Sequence, residues 1–321
     1  MGGRPMKRID RVLAVLDPTA DAQPALRKAA DLARACSATL DLLVCDFDPA
    51  LSGQPFAESG TLARHREAFL ADRRAALDPI AAELRAGGLA VETHVRWGHP
   101  LHRSIVEYAV ATSPDLVVKD THYHGLLRRT LFTNTDWNLI RACPLPLLLA
   151  KEREWPASPR IVAALDPGHL GDKPAALDHD ILDWAGLLAQ RTGGEVHAVH
   201  AFFPAALLAA TAFTGDLPFA GAAVAAEVVA AERERLGRAL EAVLAAHPVD
   251  PARVHLEQGA ASEVLPRVAE TLDAALVVMG AVSRSRVQEA FLGSTAERVL
   301  DRIGCDVLVV KPPDFTERLP F

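Results

Sequence analysis

Between Ala275 and Lys311 the chain carries residues that could hold an anion. The apolar run Leu276 to Met279 stops at Gly280, a polar loop with Ser283, Arg284 and Arg286 follows, and Gly293-Ser294-Thr295 opens a helix-like segment. The spacing is Gly280-x2-Ser283-x9-Gly293-Ser294. Amides at a helix start have no intrahelical acceptor and the helix dipole is positive there, so a phosphate is the natural occupant. Ser283 can donate to a phosphate but takes a positive φ less cheaply than glycine would. Arg284 and Arg286 have the forked donors of a phosphate clamp, with a solvated loop charge as the plainer reading. The loop offers no evident base or nucleophile, which speaks for binding rather than catalysis.

Such residues need a strand to end and a helix to begin beside them, and the chain supplies that frame twice. Arg11-Val12-Leu13-Ala14-Val15-Leu16-Asp17-Pro18 has the form of a buried parallel strand closed by a turn. Arg160-Ile161-Val162-Ala163-Ala164-Leu165-Asp166-Pro167 repeats it at an offset of 149 residues. Each copy then alternates helices and strands: helix Pro24 to Cys36 or Asp178 to Arg191, strand Thr39 to Cys45 or Glu195 to Ala201, helix Ala63 to Ala86 or Val228 to Ala246. Strand Val91 to Arg96 or Arg253 to Gln258 follows, then helix Pro100 to Ala111 or Ser262 to Leu272, and strand Asp115 to Lys119 or Ala275 to Met279. A loop, a helix and a last strand, Leu147 to Lys151 or Val307 to Lys311, complete each copy. The pattern predicts an α/β chain of two tandem doubly wound parallel-sheet domains, residues 1–155 and 156–321, linked around Trp155-Pro156. About 11 extra residues in the second copy fall in the alanine-rich stretch Ala205 to Ala231. That stretch is expected to be filler helix or a lid over a pocket for a small apolar or lipid-like ligand.

The first copy places Asp120-x2-Tyr123-x9-Thr133-Asn134 where the second has its glycines. Carboxylates at Asp120 and Asp136 would oppose a phosphate, so triphosphate is not expected there. The first domain is expected to pack on the second as an intramolecular pseudo-dimer.

With its flanks and its duplication, the second loop resembles that of the universal stress protein family, whose nucleotide-binding members carry G-x2-G-x9-G-[ST] at this place. Ser283 departs from that pattern. The likeness is closest to tandem, two-domain (UspE-like) members, through Thr135-Asp136-Trp137 and the segment Phe291 to Pro312 ending DVLVVKP. It implies a Rossmann-like fold of the adenine nucleotide α-hydrolase-like type and a stress-response regulator binding ATP or a related adenine nucleotide in the second domain. Contacts implied there are Asp166 to the adenosine moiety, the backbone near Ala201 to adenine, and Gly280, Ser283, Arg284, Gly293, Ser294 and Thr295 to phosphate. At most slow ATP hydrolysis is expected. Enzymes of the wider superfamily carry an S-G-G-x-D-S type loop where this chain reads Asp166-Pro167-Gly168-His169.

Asp166 can also be read without the resemblance. It ends the first strand of its copy, where such sheets present side chains to ligands, and the plainer alternative is a cap on the turn before Pro167. His122-x-His124 has a spacing compatible with zinc, but no third ligand can be assigned, and loop or core histidines are the simpler reading. The net charge of -7 gives no overall basic field for nucleic acid or anionic membrane. No apolar segment reaches the roughly 20 uninterrupted residues of a spanning helix, and Met1 to Asp10 lacks the apolar core of a secretory signal. Four separated cysteines (Cys36, Cys45, Cys143, Cys305) suit a reduced, cytoplasmic protein. Further pairing of two chains into a homodimer is left open.

Overall fold

The computed structural model describes residues 7–20, 22–52, 60–121, 123–124, 129–130, 132–168, 176–203, 218–281, 293–312 and 315. In the first half, β1 (Arg11–Leu16), β2 (Thr39–Asp46), β3 (Val91–Trp97), β4 (Leu116–Asp120) and β7 (Leu147–Ala150) form the sheet. They alternate with α1 (Pro24–Cys36), α2 (Gly60–Ala86), α3 (Leu101–Thr112) and α4 (Asn134–Ala142). A two-residue pair, β5 (Tyr123–His124) with β6 (Arg129–Thr130), lies between β4 and α4. The second half repeats the plan with β8 (Arg160–Ala164), α5 (Ala176–Thr192), β9 (Glu195–Phe202), α6 (Pro218–Leu244), β10 (Val254–Gln258), α7 (Ala261–Thr271), β11 (Leu276–Gly280), α8 (Ser294–Leu300) and β12 (Asp306–Val310).

The apolar runs become strands because both of their faces are covered. Val12, Ala14 and Leu16 of β1 enter one core layer, and Leu13 and Val15 the other. Helix ends follow local chemistry: Pro24 starts α1, and Ser37 closes it in the left-handed conformation. The alanine-rich stretch is described in part. α6 begins at Pro218, ten residues before the expected Val228. Proline suits the first helical position and alanine is the best helix former, so Pro218 starts the helix rather than breaking the apolar run. Residues 204–217 lie outside the described residues.

The two halves share one ten-stranded sheet, in the order β10-β9-β8-β11-β12-β7-β4-β1-β2-β3. Every neighbouring pair is parallel except β12 and β7, which run antiparallel. At that seam Leu308 faces Leu148, its own counterpart in the repeat, while Val307 faces Leu149 and Val309 faces Leu147. An internal dyad therefore passes through the Leu148–Leu308 pair, giving the expected pseudo-dimer the form of strand pairing.

Polar groups pin the seam. The Asp306 carboxylate is buried and accepts from the Lys151 amide at 2.8 Å and from Trp155 Nε1 at 2.7 Å. Lys28 Nζ, reaching over from α1, lies 2.7 Å from Asp306 Oδ2. Burial pushes the Asp306 carboxyl up, against the pull of Lys28. On the opposite face α4 and α8 are joined by Arg141 and Glu297 at 2.9 Å.

Removing one partner of a buried ion pair strands the other charge. Asp306→Ala is expected to destabilise the chain by about 3–5 kcal/mol in denaturant unfolding, and Lys28→Met combined with Asp306→Leu to restore most of that loss.

Candidate functional site

β9, β8 and β11 are adjacent parallel strands, so their C-terminal ends stand side by side. This brings together Asp166, just past β8, Ala201 near the end of β9, and Gly280 at the end of β11. The Asp166 amide donates to Asp178 Oδ1 of α5 at 3.0 Å, which fixes the turn and leaves the Asp166 side chain one-third exposed. At Gly280 a Cβ would lie 2.7 Å from the Leu177 side chain. Glycine there thus gives the Leu177 side chain of α5 its place against the strand end, whatever ligand the loop meets. The next residue, Ala281, offers its carbonyl to Lys311 Nζ at 2.8 Å, tying the start of the loop to the end of β12. Burial lowers the Lys311 pKa to about 8.

Gly293 is the N-cap of α8 and contributes no side-chain cap. Ser294 opens that helix, and Thr295 is exposed in its first turn. Ser283, Arg284 and Arg286 lie outside the described residues.

The same place in the first half is filled by the chain's own groups. Asp120 ends β4, and its buried carboxylate accepts the amide of Ala25 in the first turn of α1. Burial outweighs that bond and the nearby Lys119, pushing the Asp120 carboxyl up to about 6. Thr133 and Asp136 form a capping box at α4, with Thr133 N donating to Asp136 Oδ2 at 2.8 Å. Lys119 Nζ pairs with Asp136 Oδ1 at 2.7 Å, both side chains buried. The expectation of bare negative charge at Asp136 is thus corrected: its charge is matched by Lys119, and this half is closed by internal partners rather than by repulsion alone. Asp17, the counterpart of Asp166, accepts from Thr19 N and Thr19 Oγ1 at 2.8 and 2.6 Å and closes its own turn.

Of the zinc candidates, His122 lies outside the described residues, and His124 sits in β5 with its side chain likewise undescribed. Among the described residues Asp41, Glu92 and His94 have ligand atoms close enough to share a metal ion. Arg11 already takes that place, with Nε 2.6 Å from Asp41 Oδ2 and its other arm 3.0 Å from Glu92 Oε2. A fixed guanidinium supplies the positive charge there, so the group does not suit a metal.

The sequence model of the universal stress protein family matches residues 8–151 and 160–311. The chain belongs to the universal stress protein family. Universal stress protein E of Salmonella typhi is 30% identical over 311 residues, 97% of this chain and 96% of that protein. Universal stress protein E of Escherichia coli K12 is 29% identical over the same shares. Among solved structures, a functionally unknown protein from Pseudomonas aeruginosa PAO1 aligns with a TM-score of 0.73 at 28% identity, covering 95% of this chain and 94% of the other. A universal stress protein from Archaeoglobus fulgidus shares the fold at 17% identity and a TM-score of 0.67, over 95% and 99% of the two chains. Both halves of this tandem universal stress protein thus carry the family fold. No helix among the described residues is long and apolar enough to cross a membrane.

Leu177 and Lys311 were not singled out from the sequence. A lysine ending the apolar run of β12 was the available signal for the second, and the Leu177 contact had none.

Two measurements follow from these packing arrangements. Gly280→Val forces Leu177 aside and is expected to cost about 1–3 kcal/mol in denaturant unfolding, with Leu177→Ala in the same chain recovering part of it. The folded Asp120 carboxyl holds its proton up to about pH 6, whereas an unfolded aspartate releases it near about 4. Its contribution is fully present below the lower value and is lost as pH rises through the higher one. Relative to Asp120→Asn, the wild type is expected to lose on the order of 2 kcal/mol between pH 4 and pH 7.5, read from unfolding curves at each pH.

Proposed function

We propose that this tandem universal stress protein is a stress-response regulator that binds ATP or a related adenine nucleotide in its second half, changing conformation or partners when occupied. The observation that carries the reading is the difference between the halves. The first closes its loop with Asp120 on the α1 amide and Asp136 in the α4 capping box. The second has glycines at both ends of the corresponding loop, and the N-cap Gly293 brings no side-chain acceptor to α8. Phosphate oxygens can serve there as the acceptors that the first half supplies from its own carboxylates.

In this reading Gly280, Ser283, Arg284, Gly293, Ser294 and Thr295 meet the phosphates, while Asp166 and the backbone at Ala201 meet the nucleoside. An acidic side chain at the β8 end suits neutral hydroxyl donors better than phosphate, consistent with that polarity. The role is binding rather than turnover.

Isothermal titration calorimetry with ATP tests it. One site per chain is expected, weakened at least about tenfold by Gly293→Asp, whose carboxylate would cap α8 as Asp136 supports the cap of α4. Wild type that binds no nucleotide, or a variant that binds equally well, removes the reading.

A further inference from the structure

We propose that His200 reads the nucleoside: its Nε2 accepts a hydrogen bond from a neutral donor of the bound ligand, at the C-terminal ends of β8 and β9. The inference rests on the nucleotide reading above and adds a residue and a selectivity to it. His200 directly precedes Ala201, and its side chain is only 3% exposed. Its Nδ1 lies 2.9 Å from the Leu165 carbonyl oxygen. A carbonyl only accepts, so Nδ1 carries a proton, and the neutral tautomer with that proton has its lone pair at Nε2. That atom is buried and has no hydrogen-bond partner among the described residues. A buried acceptor left without a donor is costly, and one positioned beside a binding end is explained by a donor arriving with a ligand.

The surroundings indicate which part of a nucleotide arrives. Leu165 leads directly into Asp166, whose Oδ1 is 4.0 Å from His200 Nδ1. Glu232, on α6, is a further carboxylate, but Arg235 takes up its charge through contacts of 2.9 and 2.7 Å. The Asp166 carboxylate disfavours phosphate and favours neutral N–H or O–H donors, which a nucleoside carries as its exocyclic amine and ribose hydroxyls.

The duplicated half supplies an internal control. There Leu16 pairs with Val44, at the position corresponding to His200, so the copy closed by Asp120 has no polar side chain at this point. An orphaned imidazole acceptor and the glycine loop occur in the same half.

Asparagine places a donor where imidazole has Nδ1, and glutamine places an acceptor where it has Nε2, so the two substitutions separate the roles. The full chain is titrated with ATP, inosine triphosphate and 2′-deoxy-ATP, and melting temperatures are recorded alongside. His200→Asn is expected to melt near wild type but to bind ATP about tenfold or more weakly, with His200→Gln retaining most of the affinity. Wild type is expected to discriminate against one analogue, inosine triphosphate if the amine is read and the deoxy analogue if the ribose is read, and His200→Asn to lose that discrimination. Wild-type ATP affinity in His200→Asn, or equal affinity of wild type for all three ligands, overturns this inference and leaves the nucleotide reading standing. Wild type that binds none of them overturns both. Should His200→Asn fail to fold, a tenfold loss in a well-folded His200→Gln is the overturning result.

Discussion

The antiparallel pairing of β7 with β12 is the constraint on which the rest of the molecule depends. Separately, each half would end in an apolar strand with unpaired amides and carbonyls, an edge that invites association. Leu147, Leu148 and Leu149 instead meet Val309, Leu308 and Val307, and ten strands become one sheet. Asp306 lies where that pairing removes water, and Lys28, the Lys151 amide and Trp155 satisfy it from the other half or the linker. A buried carboxylate with so specific a set of donors favours one relative placement of the halves over slipped alternatives.

On that shared frame the copies have diverged in how they satisfy the same helix ends and loop. The first half uses its own carboxylates: Asp120 on α1, Asp136 within the α4 cap, and Lys119 to balance the charge. The second half has Gly280 opposite Asp120 and Gly293 opposite Thr133, and ties the loop start to Lys311. Family membership follows from the match across both halves, whereas the proposal of nucleotide in one half rests on this chemical asymmetry. His200 strengthens the contrast, because a buried imidazole acceptor stands in β9 where β2 has Val44.

Much of the plan is legible in the residues. The repeat of Arg11 to Pro18 as Arg160 to Pro167 announces two copies, and strand ends such as Gly280 follow from where apolar runs stop. Local signals fail where a residue has two uses. Pro218 reads as a break in a run but begins α6, and Asp136 reads as a negative charge but forms half of a capping box paired with Lys119. His200, one of two histidines in β9, has nothing in its neighbours to show which ring nitrogen would be used.

By itself the sequence determined the alternation of strands and helices, their duplication, and the glycine spacing that distinguishes the second loop. These depend on periodicity and turn chemistry acting over a few residues. Only the tertiary structure decided that two sheets are one, that Asp306 is buried against Lys28, that Leu177 crowds Gly280, and that Leu165 holds His200 Nδ1. Each of those joins groups separated in the chain by as many as 278 residues. Such contacts form only after strand order and register are set, and register across the β7–β12 seam comes from the docking of two folded halves.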